Sequence, residues 1–264
     1  MDLNFKGKVV MITGSGSGMG HKFALDFAAE GATIVVNDVN AQGIAQTIEM
    51  ICKAGGSAIA AQCDITSLDA VTALVKKIED EQGHLDILVN NAAVLAKHAF
   101  YLDTRPEDCD REIKVILYGT MNCARAALPG MVARRYGKIV NIVTDAARVG
   151  QEREVNYSTA KGGVVSFTKS IAREMGPHNI NVNAVSPAAT NSPMRQSALR
   201  QIAEKIGEEK LQEREVKVRR VYPMRRIGEP EDVSHTVLFL ASDLARHITG
   251  QIVSVNGGYA MPGE

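Results

Sequence analysis

Short apolar runs rich in β-branched residues recur at 8–13, 33–37, 57–62, 85–90, 138–143, 181–186 and 252–256. They are apolar on successive positions rather than on alternate ones. Strands of that kind belong to a parallel sheet covered by helices on each side. Between them lie segments with helical spacing, at 19–30, 41–53, 68–81, 155–175 and 231–240. Repeated alternation of strand and helix predicts right-handed crossovers and a doubly wound α/β sheet. In such sheets ligands bind outside the carboxyl ends of the strands. No Pro/Gly/Ser-rich linker, repeat or low-complexity tract divides the 264 residues, so one domain over 1–264 is expected.

One stretch breaks the rhythm. Residues 191–226 separate the sixth strand from the last helix and carry ten basic and five acidic side chains. A long insertion after a strand's carboxyl end reads as a substrate lid, at about 190–226. The whole chain, by contrast, balances thirty Lys and Arg against thirty Asp and Glu. That balance argues against a nucleic-acid binder, which usually needs a basic surplus. No apolar run reaches the roughly 18 residues of a membrane span, and the first residues hold no apolar leader. Cys52, Cys63, Cys109 and Cys123 are widely spaced, and the six histidines are scattered. A cytoplasmic chain with free, mostly buried thiols and no metal site is the expectation.

The first strand runs into Thr13-Gly14-Ser15-Gly16-Ser17-Gly18-Met19-Gly20, and a helix follows. Glycines there permit a tight turn and let backbone N–H groups approach a pyrophosphate at a helix N-terminus. Alone the run could be a turn; between a strand and a helix it points to a dinucleotide. Asp38 ends the second strand, 18 residues after Gly20. A carboxylate there accepts hydrogen bonds from ribose hydroxyls and repels a 2′-phosphate, which favours NAD over NADP; its bland alternative is a turn aspartate. Asp64, after the third strand, could meet adenine or cap the helix beginning near Ser67.

With Asn90-Asn91-Ala92-Ala93, Tyr157-Ser158-Thr159-Ala160-Lys161, Asn181-Val182-Asn183-Ala184-Val185-Ser186-Pro187 and the late 250–258 stretch in the same order, the chain resembles the classical short-chain dehydrogenase/reductase family over essentially its whole length. The resemblance implies a Rossmann-type domain with seven parallel strands, a tetramer, and hydride transfer between a nicotinamide and a carbonyl or alcohol. Cofactor contacts would come from Gly14, Ser17, Gly18, Met19, Gly20, Asp38, Asp64, Ile65, Asn91, Tyr157, Lys161, Pro187, Thr190 and Ser192. Tyr157 and Lys161, four apart on one helix face, would be the acid/base and its pKa modifier, because a nearby ammonium stabilises a phenolate. Thr144, thirteen residues before Tyr157, takes the place of the family's serine, and its hydroxyl can donate to the substrate oxygen. Thr144 and Thr190 could equally be ordinary strand-end and loop residues.

The pattern also departs from the family's. Ile116 stands in Val115-Ile116-Leu117-Tyr118-Gly119 where the family has an asparagine that supports a proton-relay water. The Ile116 carbonyl could hold such a water, or a shifted register could bring in Asn122. Ala92 or Ala93, and Ala188, replace common glycines. The stretch 145–150 resembles members acting on alicyclic or aromatic hydroxyacyl-CoA esters, and the basic lid, Arg148 and Arg153 could meet the phosphates or carboxylates of such a substrate. Alternating charges on a lid also mark a solvated helix face. Two readings result: an NAD-dependent secondary-alcohol dehydrogenase, or a weakly active subunit paired with an active homologue. The tetramer is accordingly homomeric or heteromeric.

Overall fold

Val10 and Ile12 face one side of the first strand, Val9 and Met11 the other, and all four are buried. That double burial holds across the centre of the sheet. The computed structural model describes residues 3–261. Its elements run β1 (Val9–Thr13), α1 (Gly18–Ala29), β2 (Thr33–Asp38), α2 (Ala41–Lys53), β3 (Ser57–Gln62), α3 (Leu68–Gln82) and β4 (Ile87–Asn90). After β4 come α4 (Pro106–Glu112), a π-helical segment (Ile113–Tyr118), α5 (Gly119–Arg134), β5 (Gly137–Ile142), a short α6 (Ala146–Val149) and α7 (Val155–Met175). The chain closes with β6 (Ile180–Pro187), α8 (Pro193–Ile206), α9 (Glu208–Val221), α10 (Pro230–Ala241) and β7 (Ile252–Val255).

The seven strands lie in the order β3-β2-β1-β4-β5-β6-β7, and every neighbouring pair is parallel. This is the doubly wound α/β sheet expected. On one face Val10, Ile12, Ile34, Val36, Ile87 and Val89 pack with Phe23 and Phe27 of α1 and Val233 and Val237 of α10. On the other, Val9, Met11, Val35 and Leu88 meet Val71, Val75 and Ile78 of α3 and Cys123, Ala127 and Met131 of α5. Each fully buried aliphatic side chain of this kind contributes about 1.5–3 kcal/mol. Strand order reverses between β1 and β4, so their carboxyl ends diverge and leave a crevice.

The sheet edges differ from expectation. β3 is apolar in sequence but only Ala61 of it is buried, because an edge strand has a neighbour on one side alone. The thiols differ as well. All four cysteines are free, yet only Cys123 is buried and Cys52 is exposed. The basic stretch after β6 folds as the two helices α8 and α9, joined through Gly207 at φ +85°. Arg195 of α8 and Glu215 of α9 pair at 2.5 Å, with both side chains mostly covered. Among the described residues no helix is long and apolar enough to cross a membrane.

Candidate active site

A cleft of about 870 Å³ opens over the carboxyl ends of β1, β2, β4 and β5. Gly14, Ser17, Gly18, Met19, Asp38, Asp64, Ile65, Asn91, Tyr157, Lys161 and Ser192 line it. These residues span most of the chain, and the sheet brings them together.

The glycine loop is built for close approach. Gly14 and Gly18 hold φ near +60°, a region that side chains disfavour. A Cβ on Gly14 would stand 2.9 Å from the Ala92 Cα, so the loop lies directly on the chain leaving β4. Gly20 does not line the cleft; a Cβ there would collide with the Gly14 carbonyl and the Asn91 amide. The Asn91 side chain donates to the Thr13 and Gly14 carbonyls, at 2.9 and 3.2 Å, and fixes the turn from below. Asp38 accepts the Gly16 N–H and the Asn40 N–H, each at 3.0 Å. A Cβ on Gly16 would be 2.9 Å from its carboxylate, so the glycine and the acid fit as a pair. Asp64 accepts the Thr66 N–H at 2.9 Å, while Ser67 caps α3 on the Ala70 N–H. The cap is therefore Ser67 rather than Asp64. Helix α1 points its N-terminus at the loop, which suits a diphosphate. A cradle that a Cβ would fill, with a carboxylate at its far end, fits a dinucleotide.

Tyr157 and Lys161 occupy the first turns of α7 and face the cleft's inner end. The Lys161 ammonium stands 5.9 Å from the Tyr157 ring centroid and donates to the Ile142 carbonyl at 2.5 Å. Burial pulls the lysine down to about 7. The expected lowering of the phenol by this ammonium does not dominate within the polypeptide's own field. Burial, then the carboxyls of Glu154 and Glu112, push Tyr157 up. Thr144 follows β5, and its Oγ1 accepts the Ala146 N–H at 3.3 Å. Ser192 caps α8 by accepting the Arg195 N–H at 3.3 Å. Thr144, Pro187 and Thr190 lie off the cleft wall. Pro187 accepts the Asp145 N–H at 3.1 Å, and Thr190 donates to the Ala188 carbonyl at 3.1 Å.

The π-helical segment carries Ile116 fully buried against Val143, Ala160, Val164 and Ala184, with Tyr157 packed on the same cluster. Its carbonyl accepts the Thr120 hydroxyl at 2.7 Å. Asn122 donates instead to the Ile65 and Thr66 carbonyls at 3.0 and 3.2 Å, so it ties α5 to the β3–α3 turn. Arg148 is also committed elsewhere: it donates to Ser254 Oγ at 2.8 Å. Arg153 remains at the surface, over the Phe100 ring at 4.4 Å.

Three features are not legible in the sequence. Glu107, Asp110, Arg111 and Lys114 form the outer wall of the cleft; nothing in their spacing marks them. Glu112 is 2% exposed, yet Glu107, Asp108, Asp110 and Arg111 surround it in sequence, so its helix reads as solvated and nothing local marks its burial. Asp145 is fully buried and accepts from Ser186 at 2.6 Å, Ser254 at 3.0 Å and the Asn256 amide. Those partners lie 41 to 111 residues away, so no local pattern shows them.

The family profile described as enoyl-(acyl carrier protein) reductase matches residues 14–260. A 3-oxoacyl-(acyl-carrier-protein) reductase of Thermotoga maritima is 34% identical over 256 residues, covering 97% of this chain and 99% of that one. The BbsD subunit of the (2S)-((R)-hydroxy(phenyl)methyl)succinyl-CoA dehydrogenase of Thauera aromatica is 37% identical over 260 residues, 98% and 99% of the two chains. A crystal structure of NAD+-bound xylitol dehydrogenase superposes with a TM-score of 0.90 at 29% identity, covering 97% of this chain and all of that one.

Proposed function

The chain belongs to the classical short-chain dehydrogenase/reductase family, and from that premise we propose a cytoplasmic NAD-dependent dehydrogenase that interconverts a secondary alcohol and a ketone. The general chemistry, alcohol and ketone oxidoreduction, is that of the relatives. The observation that carries the finer reading is the cleft itself: one continuous wall runs from Asp38, through the glycine loop, to Tyr157 and Lys161.

NAD would supply the hydride acceptor. Gly14, Ser17, Gly18 and Met19 present backbone to its diphosphate, and Asp38 receives its ribose hydroxyls. Two backbone amides hold the Asp38 carboxylate toward the cleft, where it repels a 2′-phosphate. Asp64, Ile65 and Asn91 flank the adenine side, and Pro187, Thr190 and Ser192 the nicotinamide side. Lys161 anchors the second ribose. Thr144 donates to the substrate oxygen, and Tyr157 takes or gives its proton.

The substrate we favour is a cyclic or aromatic hydroxyacyl-CoA, handled under the α8–α9 lid. The Thauera relative acts on such an ester by name, and the lid's basic excess suits CoA phosphates. A second reading has one observation behind it. Ile116 is fully buried among apolar side chains, and a chain so altered could be the less active subunit of a heterotetramer rather than one of four equal subunits.

The test is nicotinamide reduction across secondary alcohols and hydroxyacyl-CoA esters, with Tyr157→Phe as control. Tyrosine-dependent turnover by the chain alone supports the enzyme. Silence across the panel with NADH still bound favours the paired subunit. Asp38→Ala should weaken discrimination against NADPH by 10-fold or more, about 1.4 kcal/mol; a parent that already prefers NADPH removes the cofactor assignment.

A further inference from the structure

Every turnover adds a proton to the Tyr157 oxygen or removes one, and that proton has to reach bulk water. The inner side of Tyr157 offers little help. Lys161 is 3% exposed and bound to the Ile142 carbonyl. Beyond it stand Ile116, Val143, Ala160, Val164 and Ala184, all buried. The Ile116 carbonyl already accepts the Thr120 hydroxyl.

The outer side is acidic. Glu154 is the N-cap of α7, three positions ahead of Tyr157; its carbonyl accepts the Ser158 N–H at 2.8 Å and its carboxyl acts on the tyrosine. Glu112 ends α4, which packs on α7, and the next residue, Ile113, joins the Tyr157 cluster. Glu112 is 2% exposed; its Oε1 accepts the Ala96 N–H at 2.6 Å, while Oε2 is buried without a hydrogen-bond partner. An orphaned buried carboxyl oxygen is costly, and beside a tyrosine it marks a place for a proton. His98 Nε2, on the loop after β4, stands 3.8 Å from a Glu154 oxygen at the protein surface. Burial pushes both carboxyls up, and Glu112 adds to the effect on Glu154. A carboxyl raised in this way holds a proton more readily than a free one, which suits a proton carrier.

We propose that Glu154, poised by the buried Glu112, passes the Tyr157 proton to and from solvent. The inference rests on Tyr157 as the acid/base group. During alcohol oxidation the Tyr157 O–H bond breaks and its proton goes to a Glu154 carboxylate oxygen, directly or across one water. Glu154 then releases it to water beside His98. Reduction runs the same path backwards, and no electrons move in this step. The surrounding charged groups are few. Asp108 faces Glu112 from its own helix. Glu152 and Arg153 of the loop, with Arg214 of α9, face His98. Burial and the two arginines hold His98 below its usual value.

Glu154→Gln removes the proton acceptor at nearly constant volume. It should lower kcat about 10-fold or more and leave the KM for NAD unchanged. Glu154→Asp should recover part of the loss, and added formate should restore turnover to Glu154→Ala, which a merely structural role would not allow. Glu112→Gln keeps an acceptor for the Ala96 amide. It should move the acid limb of kcat for oxidation to lower pH, because a neighbouring negative charge has gone. In the protein without substrate, infrared spectra across pH should show a carboxylate that takes up its proton above the ordinary glutamate range, and Glu112→Gln should lack that transition. Tyr157→Phe separates the failures. If that variant keeps turnover, the tyrosine assignment falls and the relay with it. If turnover needs Tyr157 but Glu154→Gln keeps the parental kcat and pH profile, the relay alone is wrong.

Discussion

Lys161 shows how far a single residue's behaviour departs from its sequence motif. Its position, four after Tyr157, is plain in the chain, but its burial is not. Burial holds its folded-state pKa near 7, against 10.5 unperturbed. The unfolded chain therefore binds more protons between those values, and stability rises with pH across that window. The lysine's cost to folding is fully present below about pH 7 and fades toward pH 10.5. Each tenfold loss of proton affinity on burial corresponds to about 1.4 kcal/mol of that cost. Lys161→Met should raise the Tm of the cofactor-free protein at about pH 6, with a gain that shrinks as pH climbs. A lower Tm at that pH would show the ammonium to be well compensated by the Ile142 carbonyl. Asp38 was equally legible, from its distance to the glycine loop, and the structure adds the two amides that aim it. Glu112 and Asp145 were not legible. Both are buried acids whose partners come from distant segments, and one-dimensional spacing carries no trace of burial.

At the scale of elements, the central strands were readable because their residues are apolar on both faces. The edge strand β3 was misjudged for a physical reason: composition reports how apolar a strand is, while exposure depends on how many neighbours it has. The π-helical segment was invisible in sequence. It widens one turn of an otherwise continuous α4–α5 rod, and such insertions cluster at functional sites. Here it sets Ile116 into the apolar wall behind Tyr157. Ile116→Asn therefore buries an amide among Val143, Val164 and Ala184 rather than restoring a polar route. We expect a loss of about 2–4 kcal/mol in unfolding free energy and a fall in activity. Chemical denaturation read beside kcat tests this, and a stable variant with higher kcat would instead show that the wall tolerates a polar link.

For the whole molecule, the strand order places the cleft where β1 and β4 diverge, and alternation of strand and helix was enough to forecast it. What holds the far side of the site was not forecast. Asp145 accepts from Ser186 at the end of β6, from Ser254 in β7 and from Asn256 just beyond it. One carboxylate thus knots the carboxyl ends of three strands beside Thr144. Asp145→Ala leaves the buried Ser186 hydroxyl without its acceptor and takes one partner each from Ser254 and Asn256, which should cost about 2–4 kcal/mol and lower Tm by roughly 4–16 °C at 2–4 °C per kcal/mol. A calorimetric scan showing less than a few degrees of change would mean that the three ends are held by packing alone.

The same knot bears on how the protein is made. Ser254 and Asn256 follow Asp145 by 109 and 111 residues. A ribosome adding about 5–20 residues per second needs roughly 5–20 s to supply them. Through that interval the nascent chain holds a carboxylate destined for burial with its distant donors still unmade. The nucleotide half, β1 to β4, can settle early, whereas the catalytic half must wait for nearly the last strand. Cofactor affinity should therefore emerge during synthesis before catalytic competence does.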